Sequence, residues 1–286
     1  MLDTILFLSA PITASVLLAG MLGYFGNHIL SRGIIFIDIA LAQIAALGTM
    51  VGLWLGTMYP AFEEGTLSVE LISMIFTLLI IALFALTKFE KQRVPQEAII
   101  GIIYGLGLGL AMFFAEHIPR GSNYITKTIT GNILWVTWKD IALCLVIFVL
   151  IGLVHLIYGK YFIQISDSKN NLPFSLRKTR MLELLFYLTF AVVIVRAVPI
   201  GGIFLIFALL IAPTAIATLF TQKWRSRFIW SWIIGTIGSV AGIYVSYTLD
   251  ISNGPAIVCL LGISVFILAF GMVIFKKRKP VTQSVN

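Results

Sequence analysis

The sequence predicts an all-α polytopic membrane protein, a transmembrane helical bundle of about eight to nine spans. Hydrophobic residues make up 59% of the 286 residues and charged residues only 11%, and the mean hydropathy is +1.03. A soluble domain is usually about 45–50% apolar and about 25% charged. Because so few charges remain to cover a water-facing surface, we expect the bilayer to solvate most of the chain.

The distribution of charge supports the same fold class. Sixteen of the 20 Lys and Arg residues fall in every second connection between apolar stretches, and acidic residues collect at the opposite ends. Since cytoplasmic loops retain Lys and Arg, the pattern predicts a cytoplasmic C-terminus and an external N-terminus. It also explains the net charge of +8 without nucleic-acid binding. The basic residues are Arg32, Lys88, Lys91, Arg93, Lys160, Lys169, Arg177, Lys178, Arg180, Lys223, Arg225, Arg227 and 276–279, and the acidic ones are Glu63, Glu64, Glu70, Glu116 and Asp250.

Nine apolar stretches are candidates for the spans of a single transmembrane domain, 1–280, followed by a tail at 281–286 that we expect to be disordered. The sixth and seventh stretches are separated only by the Pro- and Gly-containing residues 198–202. This break predicts either a tight external turn or a broken helix lining a cavity. The nine ranges are 4–28, 33–56, 69–87, 97–117, 140–159, 182–198, 200–221, 229–249 and 255–275.

Two intervening segments are too polar to span. Segment 118–139 carries Trp135 and Trp138 among apolar residues, which predicts an interfacial or re-entrant stretch. Segment 160–181 is the longest polar piece and the most basic, so we expect it to be the main cytoplasmic feature.

Glycine patterns indicate helix packing rather than nucleotide binding. Gly101, Gly105 and Gly109 recur at four-residue spacing, which permits close approach of helices in a membrane. The chain has no GxxxxGK[ST] phosphate loop and no strand before a glycine-rich turn. Any ATP used must therefore bind another chain, and no cofactor is expected.

Three polar residues within apolar stretches are the candidates for a substrate pathway: Asp38, Gln43 and Glu97. A carboxylate inside a membrane faces a partner, a cavity or a substrate path by default. For Asp38, pairing with Arg32 or interfacial solvation is as good an explanation as function. Glu97 follows Pro95 and would stabilise a helix N-terminus in the simplest interpretation.

The remaining ionisable residues predict no catalytic site. His28, His117 and His155 form no HxxxH or HExxH motif, so no metal site is expected, and each should be solvated or hydrogen-bonded near a membrane surface. Arg196 would snorkel to the interface or pair with Asp250 or Glu116. Cys144 and Cys259 are expected to be small buried hydrophobic residues. Since no nucleophile, base and orienting group converge, the sequence argues against an enzyme.

Five ordered motifs are distributed over about 20 to 275. They are ILSRG (29–33) with FIDIALAQIAALG (36–48), EAIIGI (97–102), TGNIL (130–134) followed by Trp138, VPIGG (198–202) with ALLIAPTA (208–215), and IYVSYTLD (243–250) followed by Gly254 and Pro255. Together these motifs resemble the permease subunits of zinc and manganese ABC importers.

The resemblance implies a homodimeric pore, two cytoplasmic ATPase subunits and an extracytoplasmic metal-binding protein. Segment 160–181 lies where such permeases meet the ATPase, which makes Lys169, Arg177, Lys178 and Arg180 candidates for coupling. The positive-inside rule explains their charge equally well.

The chain departs from the family pattern in the second stretch. Aligned on Gly48, the family's Asp falls on Ile39 and its His on Gln43. Family Asp and His lie about 40° apart round a helix, whereas Asp38 and Gln43 lie about 140° apart and cannot share a face. Gln is also a poorer zinc ligand than His. The metal ligands thus stay unknown, and either the binding protein supplies selectivity or the cargo is another small solute.

The leading hypothesis is therefore the permease subunit of an ABC importer in the cytoplasmic (inner) membrane, passing zinc or manganese without chemistry on the substrate. A secondary transporter coupled to protons through Asp38 or Glu97 is the alternative.

Overall fold

The computed structural model describes residues 2–62, 66–87, 95–131, 133–168 and 174–276. These residues form nine α-helices and two short 3-10 helices, at Pro60–Phe62 and Ile133–Trp135, and contain no strand. The all-α prediction is confirmed. Several residues singled out from the sequence lie outside the described residues. They are the basic residues at 88–93, Lys169, the acidic residues Glu63 and Glu64, and the tail 281–286. The helices are α1 (Leu2–Arg32), α2 (Ile37–Gly56), α3 (Leu67–Thr87), α4 (Gln96–Ala115), α5 (Gly121–Thr130), α6 (Trp138–Asp167), α7 (Leu176–Phe220), α8 (Trp224–Leu249) and α9 (Asn253–Lys276).

Eight of these helices are long and apolar enough to cross a bilayer, and α5 is not. At ten residues α5 is only about 15 Å long, half of a hydrocarbon core. The prediction that 118–139 does not span is therefore confirmed. Trp135 and Trp138, which follow α5, are 72% and 58% exposed, and their interfacial or re-entrant position stays a prediction.

Helix α7 contains both of the predicted spans around 198–202. Phe186, near its start, and Trp224, four residues beyond its end, both contact the His28 ring, at centroid distances of 5.4 and 4.8 Å. A straight helix would separate them by about 50 Å. The chain must therefore double back within α7, and Gly202 is its one residue with non-helical angles (φ 75°, ψ 162°). The break is a tight turn at a single glycine.

The turn at Gly202 is held by two other glycines. The backbones of Gly131, at the end of α5, and of Gly202 lie in direct contact, and Gly254, at the start of α9, lies against Thr130 and near Gly201. A Cβ atom at any of the three glycines would collide with neighbouring backbone atoms. Gly131 and Gly202 also have positive φ angles, which only glycine adopts without strain. Three motifs that are distant in sequence thus meet at one place.

Helix α2 forms the core of the bundle, and α4 and α9 lie at its edge. The buried share of the apolar window is 67% for α2 but 22% for α4 and 17% for α9. Small residues in α2 allow this packing, because Gly48 and Gly52 lie against Ser73 and Val69 of α3. By contrast, open space surrounds the predicted packing stripe of α4, whose members are Gly101, Gly105 and Gly109.

Candidate functional site

The turn between α1 and α2 positions the first candidate residue. Helix α1 ends in a Schellman motif, in which Gly33 N–H donates to Leu30 O and Ile34 N–H donates to Ile29 O. Gly33 supplies the left-handed conformation (φ 69°) that this motif needs. The chain then turns directly into α2, whose first turn contains Asp38.

Asp38 is buried without the partner that the sequence suggested. The residue is 2% exposed, and its Oδ1 atom has no hydrogen-bond partner within the described part of the chain. Arg32 instead donates from Nε to Ser166 Oγ at 3.0 Å and places its guanidinium 3.8 Å from the Phe186 ring centroid. Neither terminal nitrogen of Arg32 makes a hydrogen bond to a described residue. The expectation of an Arg32–Asp38 pair, or of a solvated Asp38, is wrong.

Glu97 holds α4 against this same turn. Its Oε1 atom accepts a hydrogen bond of 2.7 Å from the Ile35 backbone N–H, three residues before Asp38. Helix α4 has Pro95 at its N-cap and no side-chain capping bond. The Glu97 carboxylate therefore ties two helices together rather than capping its own, and Oε2 is buried with no hydrogen-bond partner among the described residues.

Gln43 lies further along the contact between α2 and α4. It is 4% exposed and packs against Gly107 of α4. Because α2 is a continuous helix from Ile37 to Gly56, Asp38 and Gln43 keep the angular separation of about 140° expected from their spacing. The three candidates thus share one helix–helix contact but do not converge on a point. The described residues contain no group of three or more His, Cys, Asp and Glu side chains suited to holding a metal ion.

A second polar cluster, around two histidines, was missed by the sequence analysis. His28 and His155 are 1% and 5% exposed, and both rings are hydrogen-bonded rather than solvated, which is the second of the two environments expected for them. His28 Nδ1 lies 2.9 Å from Ser166 Oγ, which donates its own proton to Phe162 O. His28 must therefore be the donor in this pair.

The partners of His155 determine its tautomer in the same way. His155 Nε2 lies 2.8 Å from Thr189 Oγ1, and Nδ1 lies 3.0 Å from the Tyr24 hydroxyl. The Thr189 hydroxyl already donates to the carbonyls of Leu185 and Phe186. It can only accept from His155, so Nε2 carries the proton and Tyr24 donates to Nδ1. The hydrogen bonds of His155 to Tyr24 and Thr189 thus join α6 to α1 and α7.

The remaining polar and sulfur-containing side chains singled out from the sequence lie outside both clusters. His117 is exposed, and its ring Nδ1 hydrogen-bonds to Phe113 O at 2.9 Å, as expected of an interfacial histidine. Arg196 pairs with Glu70 at 3.2 Å, so the alternative in which it pairs with Asp250 or Glu116 is wrong, and its snorkelling to the interface stays a prediction. Cys144 is buried as predicted, but Cys259 is exposed.

The candidate coupling residues surround the first turn of α7. Arg177, Lys178 and Arg180 are exposed. The Lys178 ammonium lies 4.6 and 4.5 Å from the ring centroids of Tyr161 and Phe174, a cation–π arrangement that fixes the start of α7 against the end of α6. Exposed apolar side chains accompany these charges, with Leu176 at 48% and Met181 at 65% exposure.

Comparison with known proteins identifies the family. The profile of the ABC 3 transport family matches residues 4–274. The chain belongs to this family. The resemblance to permease subunits of metal ABC importers, drawn from five motifs, is confirmed.

Relatives of this ABC 3 family chain match over nearly its whole length. The manganese transport system membrane protein MntC of Listeria monocytogenes is 24% identical and covers 96% of both chains. MntC of Halalkalibacterium halodurans is 26% identical, covering 92% of this chain and 86% of its own. A probable iron transport system membrane protein of Haemophilus influenzae is 25% identical, covering 90% and 86%.

Solved structures agree on the fold. The chain superposes on PsaBC from Streptococcus pneumoniae in complex with Fab with a TM-score of 0.73, at 21% identity and 94% coverage of both chains. An inward-facing putative metal-chelate type ABC transporter gives a TM-score of 0.67 at 16% identity, covering 96% of this chain and 88% of that one.

Proposed function

We propose that this ABC 3 family permease passes a divalent metal ion, with manganese as the cargo, and that ATP is hydrolysed by a separate subunit. The observation that supports Asp38 as a pathway residue is its environment. Asp38 is a buried carboxylate with an unpartnered oxygen, and it lies next to the turn to which Glu97 is hydrogen-bonded. Burying a carboxylate costs free energy unless it pairs with a partner or binds a ligand. Asp38, Gln43 and Glu97 all offer oxygen ligands, which suit manganese better than zinc.

The buried position of Asp38 implies a moving pathway. At 2% exposure, Asp38 does not meet the solvent in this conformation. Because Glu97 links α4 to the turn before Asp38, movement of α4 pulls on that turn, and we propose that this movement opens access to the carboxylate. A cation would then meet Asp38 and Gln43 in succession, because the two face different directions on α2.

Substitution of Asp38 tests this role. In proteoliposomes containing the permease and its ATPase, Asp38→Asn should lower ATP-driven manganese uptake by tenfold or more, because the amide keeps the shape but loses the charge. Asp250→Asn, at an exposed helix end, is the control and should transport normally. Normal uptake by Asp38→Asn would remove Asp38 from the pathway.

We also propose that the exposed start of α7 is the docking surface for the ATPase, in the cytoplasm that the charge pattern predicts. Leu176 and Met181 supply apolar area, and Arg177 and Arg180 supply charge that is not engaged in the Lys178 contact. Arg177→Glu with Arg180→Glu should weaken copurification of the ATPase and lower uptake. Lys127→Glu, on α5 at the predicted external face, is the matched charge control.

The open face of α4 is our proposed contact with a second copy of the chain. Gly101, Gly105 and Gly109 have open space above them, and exposed Leu106 (60%) and Phe113 (55%) lie on the same helix. Small residues at four-residue spacing allow two helices to approach closely in a membrane. An extracytoplasmic binding protein would deliver the metal at the opposite end from α7's start, in the cytoplasmic membrane of the cell.

A further inference from the structure

A groove between α1, α6 and α8 is separate from the candidate pathway. Its volume is about 600 Å³, and Asp38, Gln43 and Glu97 do not line it. Its walls are mostly apolar, and the α6 side is open, with Leu153 52% and Leu156 80% exposed. Since all three helices are candidate spans, we expect the groove to face the hydrocarbon region of the bilayer.

One end of the groove is basic. Arg225 lines both this groove and an adjoining depression of about 680 Å³, which Lys223 also lines. Both cations are exposed at the N-terminus of α8, and neither side chain has a hydrogen bond or ion pair to a described residue. Arg227, by contrast, is engaged by Thr221 O and Gln222 Oε1. Asp167 is the acidic residue nearby, and it accepts a hydrogen bond from the Trp224 indole.

Polar atoms on the α1 wall also lack partners. Asn27 and His28 line the groove, and Asn27 Oδ1 and His28 Nε2 make no hydrogen bond to any described residue. Both are hydrogen-bond acceptors, because Asn27 donates from Nδ2 and His28 from Nδ1, so an ordered water or a headgroup hydroxyl would satisfy them and a phosphate would not. The groove combines an apolar channel with a cationic end at Lys223 and Arg225, which is the chemistry of a phospholipid with a negative headgroup.

We propose that one anionic phospholipid binds here, with an acyl chain in the groove and its phosphate at Lys223 and Arg225. The indole of Trp224 stands at the headgroup level, where tryptophan is favoured. The site is at the end of the bundle that the charge pattern places in the cytoplasm, and basic pockets between helices on that side bind anionic headgroups. A second copy of the chain is the weaker occupant, since the open glycine face of α4 is not part of this groove.

Retention of lipid by the purified full-length chain tests the proposal. The chain is exchanged into equal amounts of dioleoyl-phosphatidylglycerol and dioleoyl-phosphatidylcholine, and bound lipid is counted by native mass spectrometry. We expect about one phosphatidylglycerol per chain, and Lys223→Glu with Arg225→Glu should reduce retention at least tenfold. Lys139→Glu, an exposed cation at the start of α6, should leave retention unchanged. Arg225→Lys should retain most of it.

A second variant tests the acyl-chain part without touching a charge. Gly152 lines the groove and has open space above it, so Gly152→Phe should fill the channel and displace the lipid. Gly262→Phe, on α9 with equally open space, should not. Equal retention of the two lipids by the wild-type chain would overturn the proposal. So would full retention by Gly152→Phe or by the double charge reversal, and so would a cross-link between two copies through this groove.

Discussion

The Glu97 carboxylate accepts a 2.7 Å hydrogen bond from the backbone N–H of Ile35, which connects α4 to the turn that precedes Asp38. The two residues are 62 positions apart in sequence. This bond makes the position of α4 depend on the same short turn that begins α2. A displacement of α4 is therefore transmitted to the helix that carries Asp38 and Gln43.

Loss of the Glu97 carboxylate should destabilise the protein and loosen α4. We expect Glu97→Ala to lower the free energy of unfolding by about 1.5–3 kcal/mol, the usual range for a hydrogen bond to a charged group. Unfolding in mixed micelles measures this change. Glu116→Ala, at the exposed C-terminal end of α4, should change the free energy by less than about 0.5 kcal/mol. Equal effects of the two substitutions would show that the Ile35 contact contributes nothing.

The buried hydrogen bonds of His155 should contribute to the stability of the folded protein. His155→Ala removes hydrogen bonds to Tyr24 and Thr189 and leaves a cavity among aromatic rings. We expect the free energy of unfolding to fall by about 2–4 kcal/mol. Thermal unfolding in detergent measures this, and His117→Ala is the control that should leave the midpoint unchanged. A His155→Ala protein as stable as the wild type would contradict the assigned bonds.

The turn inside α7 should tolerate no side chain at Gly202. Gly202→Ala adds a Cβ atom against the Gly131 backbone and forces a φ of 75° on a residue that avoids it. Backbone strain alone costs about 1–3 kcal/mol, so we expect little folded protein by size-exclusion chromatography. Gly201→Ala is a neighbouring control, because the nearest atoms to its Cβ belong to the flexible Ile206 and Leu205 side chains rather than to backbone. Normal yield of Gly202→Ala would mean that the chain does not turn there as described.

Cysteine cross-linking tests the proposed contact between copies through α4. In a Cys259→Ser background, Gly105→Cys should form a disulfide-linked dimer under mild oxidation, since two small-residue faces bring Cβ atoms within reach. Leu156→Cys, on the exposed face of α6, is the control and should stay monomeric. Dimers from Leu156→Cys but not from Gly105→Cys would place the contact on a different face.

Span positions and the break near residue 202 were predictable from sequence, because hydropathy and Gly–Pro punctuation are local signals. The partners of the polar side chains were not predictable, because they are far apart in sequence. Arg196 meets Glu70 across 126 residues, and His155 meets Tyr24 across 131. One signal was available: Tyr24, His28 and Arg32 recur every four residues and so mark a polar stripe on α1. The packing partner of the α4 stripe was not predictable, because small residues indicate close approach of helices without indicating which helix approaches.

The most direct test of the central claim is the energy source of manganese uptake. Proteoliposomes containing the permease with its ATPase should accumulate manganese only when ATP is present on the ATPase side. Collapse of a proton gradient should leave that uptake unchanged. Uptake by the permease alone, driven by a proton gradient and abolished by Asp38→Asn or Glu97→Gln, would contradict the account and establish a proton-coupled transporter.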